Sequence, residues 1–143
     1  MQSKEIIESR GMDIHFYLDA IDTDKRLTMF KCIISPGAEP TMSHYHDSFD
    51  ETFYGLKGTA TCTVDGRTTE VGPGEALFIP RGAVHSVVNK TNEQIEVLCF
   101  TNPGVLGPDY FHDLAAVLAG NGPADIENLK KLMQSHGVIP VVG

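Results

Sequence analysis

The stretch that decides the fold is "GEALFIPRGAVHSVVN", which spans residues 74–89. Two short runs of aliphatic, aromatic and β-branched residues lie on either side of Pro80-Arg81-Gly82. Runs of this composition are typical of strands, and a proline closely followed by a glycine is typical of a tight turn. The stretch therefore predicts two strands joined by a proline turn, and it places His85 on the second strand.

The same pattern extends outward from Asp13 to Thr101, where short strand-like runs alternate with glycine and proline. This pattern is typical of an all-β sandwich or barrel. The sharpest local signal is Asp65-Gly66, a preferred pair for a two-residue type I′ hairpin turn, while Pro73-Gly74 fits a type II turn. The predicted strands around these turns are residues 59–64, 68–71, 75–79, 83–89 and 94–100, and the third of them is expected to be a short buried strand.

After Thr101 the periodicity becomes helical. The spacing predicts one helix over 109–119 with Asp109 as its N-cap, and a second from Asp125 to His136 that stops at Gly137. The apolar face of the second helix is expected to hold Ile126, Leu129, Leu132 and Met133. We therefore predict one domain over residues 1–143, with a β-core at about 13–102 and a helical tail at 103–143. The helices are expected to pack outside the β-domain, and a lid over its mouth is the alternative.

Composition narrows the possible functions. The chain has 143 residues, a length that is enough for one domain with its own core. Of these residues 41% are hydrophobic and 21% are charged, as is usual for a globular domain. A net charge of −8 and a pI of about 5.1 argue against a nucleic-acid or anionic-membrane surface. The N-terminus lacks the apolar core of a signal peptide, and no later run is long enough to span a membrane. We therefore expect a cytoplasmic protein.

The cysteines suggest no cross-links. Cys32, Cys62 and Cys99 are an odd number at wide spacing without a C-x-x-C pair, so neither a disulfide framework nor a thiolate zinc site is indicated. All three lie in apolar or threonine-rich runs. We predict that they are buried, reduced thiols.

A second stretch, "SHYHDSFDE" at residues 43–51, raises the possibility of metal binding. On a strand, His44 and His46 would share one face while Tyr45 points to the other. An isolated pair of this kind is often two ordinary surface histidines, so the interpretation depends on a third ligand. His85 is the candidate, since it lies on a predicted buried strand, where a lone histidine would otherwise be a core residue in need of a hydrogen-bond partner.

Taken together, these residues resemble the cupin family. The second cupin motif, G-x5-P-x-G-x2-H-x3-N, is matched without exception, and the first is matched with one extra residue before His44 and a longer spacing to Glu51. The resemblance covers roughly residues 25–102 and implies a double-stranded β-helix, or jelly roll, that binds one divalent metal through His44, His46, Glu51 and His85. The motif positions are Gly37, His44, His46, Glu51, Gly58, Gly74, Pro80, Gly82, His85 and Asn89.

The chemistry of this ligand set agrees with the resemblance. Three neutral imidazoles and one carboxylate suit late first-row divalent ions such as Fe, Mn, Ni or Zn, and leave positions for water, substrate or dioxygen. Such a site carries a net charge of +1, which attracts an enolate, a carboxylate or a catecholate. Glu51 is also the candidate catalytic base. Phe53 and Val87 follow the alternation of Glu51 and His85, so we predict that they line the pocket.

Other residues receive structural interpretations. Gly82 is expected to close the turn that aims His85 inward, and Asn89 to support neighbouring backbone. Tyr17 and Tyr54 are possible proton donors that nothing distinguishes from core aromatics. The histidines outside the motifs are read as surface or packing residues, namely His15, His112 and His136.

Fold alone does not fix the activity, because function lies in the pocket. The chain resembles small quercetin-dioxygenase-like cupins, which implies a metal-dependent enzyme acting on a small oxygenated organic substrate, foremost an oxygenase. The alternatives are a non-oxidative lyase, isomerase or cyclase, and a non-catalytic small-molecule binding protein. We also expect a homodimer, because a small jelly roll has exposed sheet edges and the family resemblance implies the same.

Overall fold

The computed structural model describes residues 2–40, 42–120 and 122–141. In these ranges the chain forms eleven strands and three helices. In chain order they are β1 (Glu5–Ser9), β2 (Met12–Leu18), α1 (Ala20–Thr23), β3 (Thr28–Ile34), β4 (His44–His46), β5 (Asp50–Lys57), β6 (Ala60–Val64), β7 (Arg67–Val71), β8 (Ala76–Ile79), β9 (His85–Val88), β10 (Ile95–Asn102), α2 (Pro108–Val117), α3 (Ile126–Ser135) and β11 (Val138–Pro140).

The strands form two antiparallel sheets. Sheet A has the order β1-β2-β3-β10-β5-β8, and sheet B has the order β11-β4-β9-β6-β7. From β3 to β10 the chain passes repeatedly from one sheet to the other, as in a jelly roll. Along β3 every second residue is buried, so one face of sheet A forms the core while the other faces outward. The predicted all-β double-stranded β-helix is confirmed.

The two turns predicted at Asp65-Gly66 and Pro73-Gly74 are present in the structure. Asp65 and Gly66 have φ angles of 47° and 80°, as a type I′ turn between β6 and β7 requires. At the next turn Glu75 N–H donates to the Gly72 carbonyl at 3.1 Å, and Gly74 has a φ of 81°. Both predicted turns are confirmed.

The start of α2 differs from the prediction. Asp109 is not the N-cap, since the helix begins at Pro108 and Gly107 occupies the capping position. Proline is favoured at the first helical position because its φ is already helical and its missing N–H is not needed there. Asp109 lies instead in the first turn, where its negative charge interacts favourably with the positive end of the helix dipole.

Helix α3 has the N-cap and the terminating glycine that the sequence predicted. Asp125 caps α3 by accepting a hydrogen bond from Asn128 N–H, and Gly137 follows the helix with a φ of 76°. Leu129 and Met133 are buried, but Ile126 at the first position is 47% exposed. Of the predicted apolar face, Ile126 is therefore not part of the buried side of α3.

The segment 75–79 was predicted as a buried strand, and this is wrong for most of β8. Only Ile79 is buried, and Phe78 is 57% exposed. The reason is position: β8 lies at the edge of sheet A, so its outward side chains have no neighbouring layer.

The structure adds strands that the pattern did not indicate. The strands begin at Glu5 rather than near residue 13, and β11 forms after α3. β11 pairs with β4, with Val138 opposite His46 and Pro140 opposite His44. The C-terminal tail therefore completes sheet B directly beside the H-x-H pair.

The helical tail also contributes to the core. α2 packs against β1 and α3, and it buries Tyr110, Phe111 and Leu114. The Phe111 ring lies 5.7 Å from Phe16 and 5.1 Å from Phe30 between ring centroids. α2 therefore anchors the tail to the inner face of sheet A.

The three cysteines are buried and unpaired, as predicted. In the described part of the chain, no helix is long and apolar enough to cross a membrane.

Candidate metal centre

Three histidines converge between the two sheets. His44 and His46 alternate along β4, and His85 begins β9 directly opposite His44 in the antiparallel pairing. One ring nitrogen from each lies within 4.8 Å of the others. Donor atoms that share one ion at about 2.1 Å each are at most about 4.2 Å apart. The observed spacing is therefore close to what one metal ion requires.

Glu51 reaches the cluster from the opposite sheet. It lies on β5 of sheet A, is buried, and places its Oε1 atom 3.7 Å from His85 Nε2. Glu51 lies beside the set of three imidazoles rather than within it. The two sheets together thus assemble the four residues that the sequence singled out.

Backbone carbonyls fix the tautomers of two imidazoles. His44 Nδ1 donates to the Met42 carbonyl at 2.7 Å, and His85 Nδ1 donates to the Ala83 carbonyl at 2.9 Å. A carbonyl oxygen can only accept, so each Nδ1 carries the proton and each neutral ring keeps a free lone pair on Nε2. This is how histidines are commonly oriented for metal binding.

An unpartnered buried nitrogen of His85 also points to a metal ion. Within the described residues, His46 Nδ1 and His85 Nε2 are buried without a hydrogen-bond partner. His46 is held instead by Phe49, whose ring stacks on it at 4.3 Å between centroids. Since a buried polar atom without a partner is costly, it demands an explanation. A cation at the cluster would provide one for His85 Nε2, and the residues present fit a divalent metal.

The environment keeps two of the ligands neutral. Burial lowers the pKa of His44 to about 4, with a further contribution from His85. Burial and the two neighbouring imidazoles lower the pKa of His46 to about 2. Both rings therefore offer lone pairs, not positive charges, at ordinary pH.

His85 differs because it faces the carboxylate. Burial by itself lowers the pKa of His85, but Glu51, the Ala83 carbonyl and Asp65 together raise it above the ordinary value. The buried Glu51 carboxylate thus draws positive charge toward this position.

The backbone before His85 is held at both ends of a turn. Ala83 N–H donates to the Pro80 carbonyl at 3.1 Å, and Gly82 has a φ of 86°, a conformation that favours glycine. Gly82 N–H also donates to the His46 carbonyl at 2.8 Å. The turn is therefore tied to the strand that carries the other two histidines.

Asp65 adds a support that the sequence did not reveal. Val84 N–H donates to Asp65 Oδ1 at 2.9 Å, and Asp65 N–H donates to the Val84 carbonyl at 2.7 Å. Asp65, which was predicted only as a turn residue, thereby holds the backbone of Val84 in place directly before His85.

Asn89 has the structural role that was expected. Its side-chain amide donates to the carbonyls of Ile34, Ser35 and Glu93, and its Oδ1 accepts from Thr91 N–H and Oγ1. Asn89 is fully buried, so these bonds satisfy it completely. It joins the loop after β9 to the end of β3.

A cavity of about 70 Å³ adjoins the four residues. Phe53 and Val87 line it, as do the thiol-bearing Cys32 and Cys99. Its wall is mainly aliphatic and aromatic. Tyr17 and Tyr54 are not among the lining residues, and Tyr54 is 40% exposed on the outer face of sheet A.

The tail supplies one side of this cavity. Its contributions are Leu106, Tyr110, Phe111 and Val138. Sequence reasoning missed all four, since helical periodicity shows which residues are apolar but not what they cover. The helices pack against strands of the β-domain, as predicted, and α2 in addition forms part of the cavity wall.

The chain matches the cupin domain family over residues 30–101. It is 39% identical over 51 residues to quercetin 2,3-dioxygenase of Bacillus subtilis, covering 36% of this chain and 15% of that protein. It is 30% identical over 79 residues to the tetracenomycin polyketide synthase protein TcmJ of Streptomyces glaucescens, covering 55% of this chain and 52% of that protein. The chain thus spans about half or less of the length of these two relatives.

Solved structures agree on the fold. The structure of KdgF from Halomonas sp. superposes with a TM-score of 0.63 at 19% identity, covering 73% of this chain and 89% of that one. At this identity the likeness concerns the fold alone. The family match spans both ligand-bearing motifs and half of the chain. The chain therefore belongs to the cupin family.

Proposed function

We propose that this chain is a metal-dependent enzyme that acts on a small oxygenated organic molecule, foremost as an oxygenase. The observation that carries the proposal is the convergence of three buried imidazoles and Glu51 on one side of an apolar cavity. The likeness to quercetin 2,3-dioxygenase over 51 residues supports the oxygenase class.

A divalent ion held by His44, His46, His85 and Glu51 would supply a Lewis acid and a template for substrate oxygens. The chain's own residues set the conditions for this chemistry. The Met42 and Ala83 carbonyls hold a proton on Nδ1 of two imidazoles, so that each ring, when neutral, presents the lone pair of Nε2. The apolar wall offers few groups that could hydrogen-bond to water, and an apolar surrounding strengthens electrostatic interactions at the cluster.

Glu51 is placed to move a proton. Its carboxylate is buried beside His85 and lines the cavity, so it lies within reach of a substrate oxygen next to the imidazoles. In our proposal Glu51 accepts the proton of an enol or hydroxyl, which leaves a better ligand behind.

Two other functions use the same residues. A lyase, isomerase or cyclase would need the ion and Glu51 but no dioxygen. A binding protein would need only the cavity.

Oxygen uptake and product formation separate the three. The metal-loaded protein should be given a panel of small hydroxy and oxo compounds while dissolved oxygen and products are followed. Uptake matched to product supports the oxygenase, product without uptake supports the non-oxidative enzyme, and binding without product leaves a binding protein and contradicts the proposal.

A further inference from the structure

The walls of the metal-centre cavity restrict what it can accept. We infer that it selects a small molecule with one oxygen-bearing end, at most one negative charge and an apolar remainder. This inference rests on the proposed function, since it names the substrate class of the same site.

Size is the first restriction. The cavity measures about 70 Å³. Because one water molecule needs about 10–15 Å³, this is the space of about five to seven waters. A small organic molecule occupies this space, whereas a polycyclic compound or a nucleotide would extend beyond it.

Charge is the second restriction. Among the described residues that line the cavity there is no lysine and no arginine, and the acidic one is Glu51. A divalent ion with one carboxylate ligand leaves a net charge of +1. It can balance one negative charge on the bound molecule, whereas a second charge would be buried without a partner. Dicarboxylates and phosphates are therefore disfavoured.

Polarity is the third restriction. Apart from the four candidate ligands, the described lining offers two hydroxyl groups, those of Ser86 and Tyr110, and two thiols. A sugar has more hydroxyl groups than these partners can satisfy, and each unpaired buried hydroxyl is costly. Polyhydroxylated molecules are therefore disfavoured as well.

The apolar groups indicate how the occupant lies. Phe53 from sheet A, Phe111 from α2 and Val87 from sheet B surround the space. The oxygen-bearing end of the occupant faces the three imidazoles, and its apolar remainder packs against these side chains. Shape and desolvation then decide selectivity, because few polar contacts are available.

A matched pair of probes tests this selectivity. 2-Hydroxy-3-methylbutanoate and hydroxymalonate share the same 2-hydroxycarboxylate end and the same number of non-hydrogen atoms, but an isopropyl group in the first replaces a carboxylate in the second. Titration calorimetry on the metal-loaded protein should show that the isopropyl compound binds at least about tenfold more tightly. Metal content measured after each titration shows that neither probe has stripped the ion.

A charge placed in the wall should reverse this preference. Val87→Lys adds an ammonium group beside the cavity, so hydroxymalonate should gain at least about tenfold in affinity relative to the isopropyl compound. The matched control is Val88→Lys, the next residue of β9, which does not line the cavity. If Val87→Lys does not fold, the wild-type comparison decides alone.

Several outcomes would overturn the inference. Equal or tighter binding of hydroxymalonate by the wild type would do so, and so would binding of neither probe at up to about 10 mM. The proposed enzyme is tested separately. If the isopropyl compound is preferred but no compound of its class is turned over, the inferred selectivity stands and the proposed enzymatic function is contradicted. If a dicarboxylate or a sugar is turned over, the proposed enzymatic function stands and the inferred selectivity is contradicted.

Discussion

At the scale of single residues, the site depends on two backbone carbonyls as much as on its ligands. The H-x-H spacing and the second motif identify His44, His46 and His85 from the sequence. The sequence does not show that Met42 and Ala83 fix two of these rings, because both contacts depend on how the loops before the strands are folded.

Glu51→Gln tests whether Glu51 acts as a base. The substitution keeps size and one coordinating oxygen but cannot accept a proton in the same way. We expect kcat per bound metal to fall by about 10²- to 10⁴-fold, the contribution usual for general-base catalysis. Steady-state kinetics normalised to metal content measure this, with Glu51→Ala for comparison. A metal-replete Glu51→Gln protein within about threefold of wild type would leave Glu51 as a ligand only.

Asn89→Ala tests the buried amide. The substitution leaves three backbone carbonyls and Thr91 without their partner, so the free energy of unfolding should fall by about 2–4 kcal/mol. Urea denaturation measures this. Asn92→Ala changes an exposed residue of the same loop and should stay within about 0.5 kcal/mol; equal losses in the two variants would contradict the assigned role.

At the scale of elements, the tail belongs to the core. Phe111 from α2 closes an aromatic cluster with Phe16 and Phe30 and also lines the cavity. β11 completes the sheet beside β4. The tail therefore contributes to stability and to the site at once.

Phe111→Ala tests this account of α2. Removing a ring from the core should lower the free energy of unfolding by about 3–5 kcal/mol. Chemical denaturation gives the value, and Val105→Ala, at an exposed position of the same tail, should cost less than about 0.5 kcal/mol. A Phe111→Ala protein as stable as Val105→Ala would mean that α2 only covers the surface.

Local chemistry explains which elements the sequence could predict. Asp65-Gly66 and Pro73-Gly74 specify their turns by backbone preference alone, so both were predictable. β11 was not, because three residues ending in proline carry no periodic signal and their pairing with β4 depends on the tertiary fold. Phe78 was misjudged because burial depends on the sheet edge, which the strand's own composition does not show.

At the scale of the whole molecule, the outer face of sheet A exposes two large aromatic side chains. On the outer face of sheet A, Tyr54 is opposite Leu98 and Phe78 is opposite Thr52. Phe78 is 57% exposed and Tyr54 is 40% exposed. Contiguous exposed apolar residues on a sheet often mark an interface, and we propose that a second copy of the chain covers them.

Phe78→Lys tests the proposed homodimer. Light scattering of the wild type should give twice the chain mass of 15.6 kDa, and the lysine should shift it toward that single-chain mass by placing a charge in the interface. Ile21→Lys, at an exposed apolar residue outside sheet A, should leave the dimer intact. A monomeric wild type at micromolar concentration would refute the proposal.

The central claim is that the four residues joined by the two sheets hold one metal ion, and metal content tests it most directly. Elemental analysis of the purified protein should find about one divalent ion per chain, and the His44→Ala, His46→Ala double variant should lose most of it. The matched control His112→Ala, at a histidine that is 52% exposed in its side chain, should keep the wild-type content. Chelation should lower the Tm of the wild type but not that of the double variant, since an ion bound only by the folded state adds to folding free energy. Equal metal content in the wild type and the double variant would contradict the account.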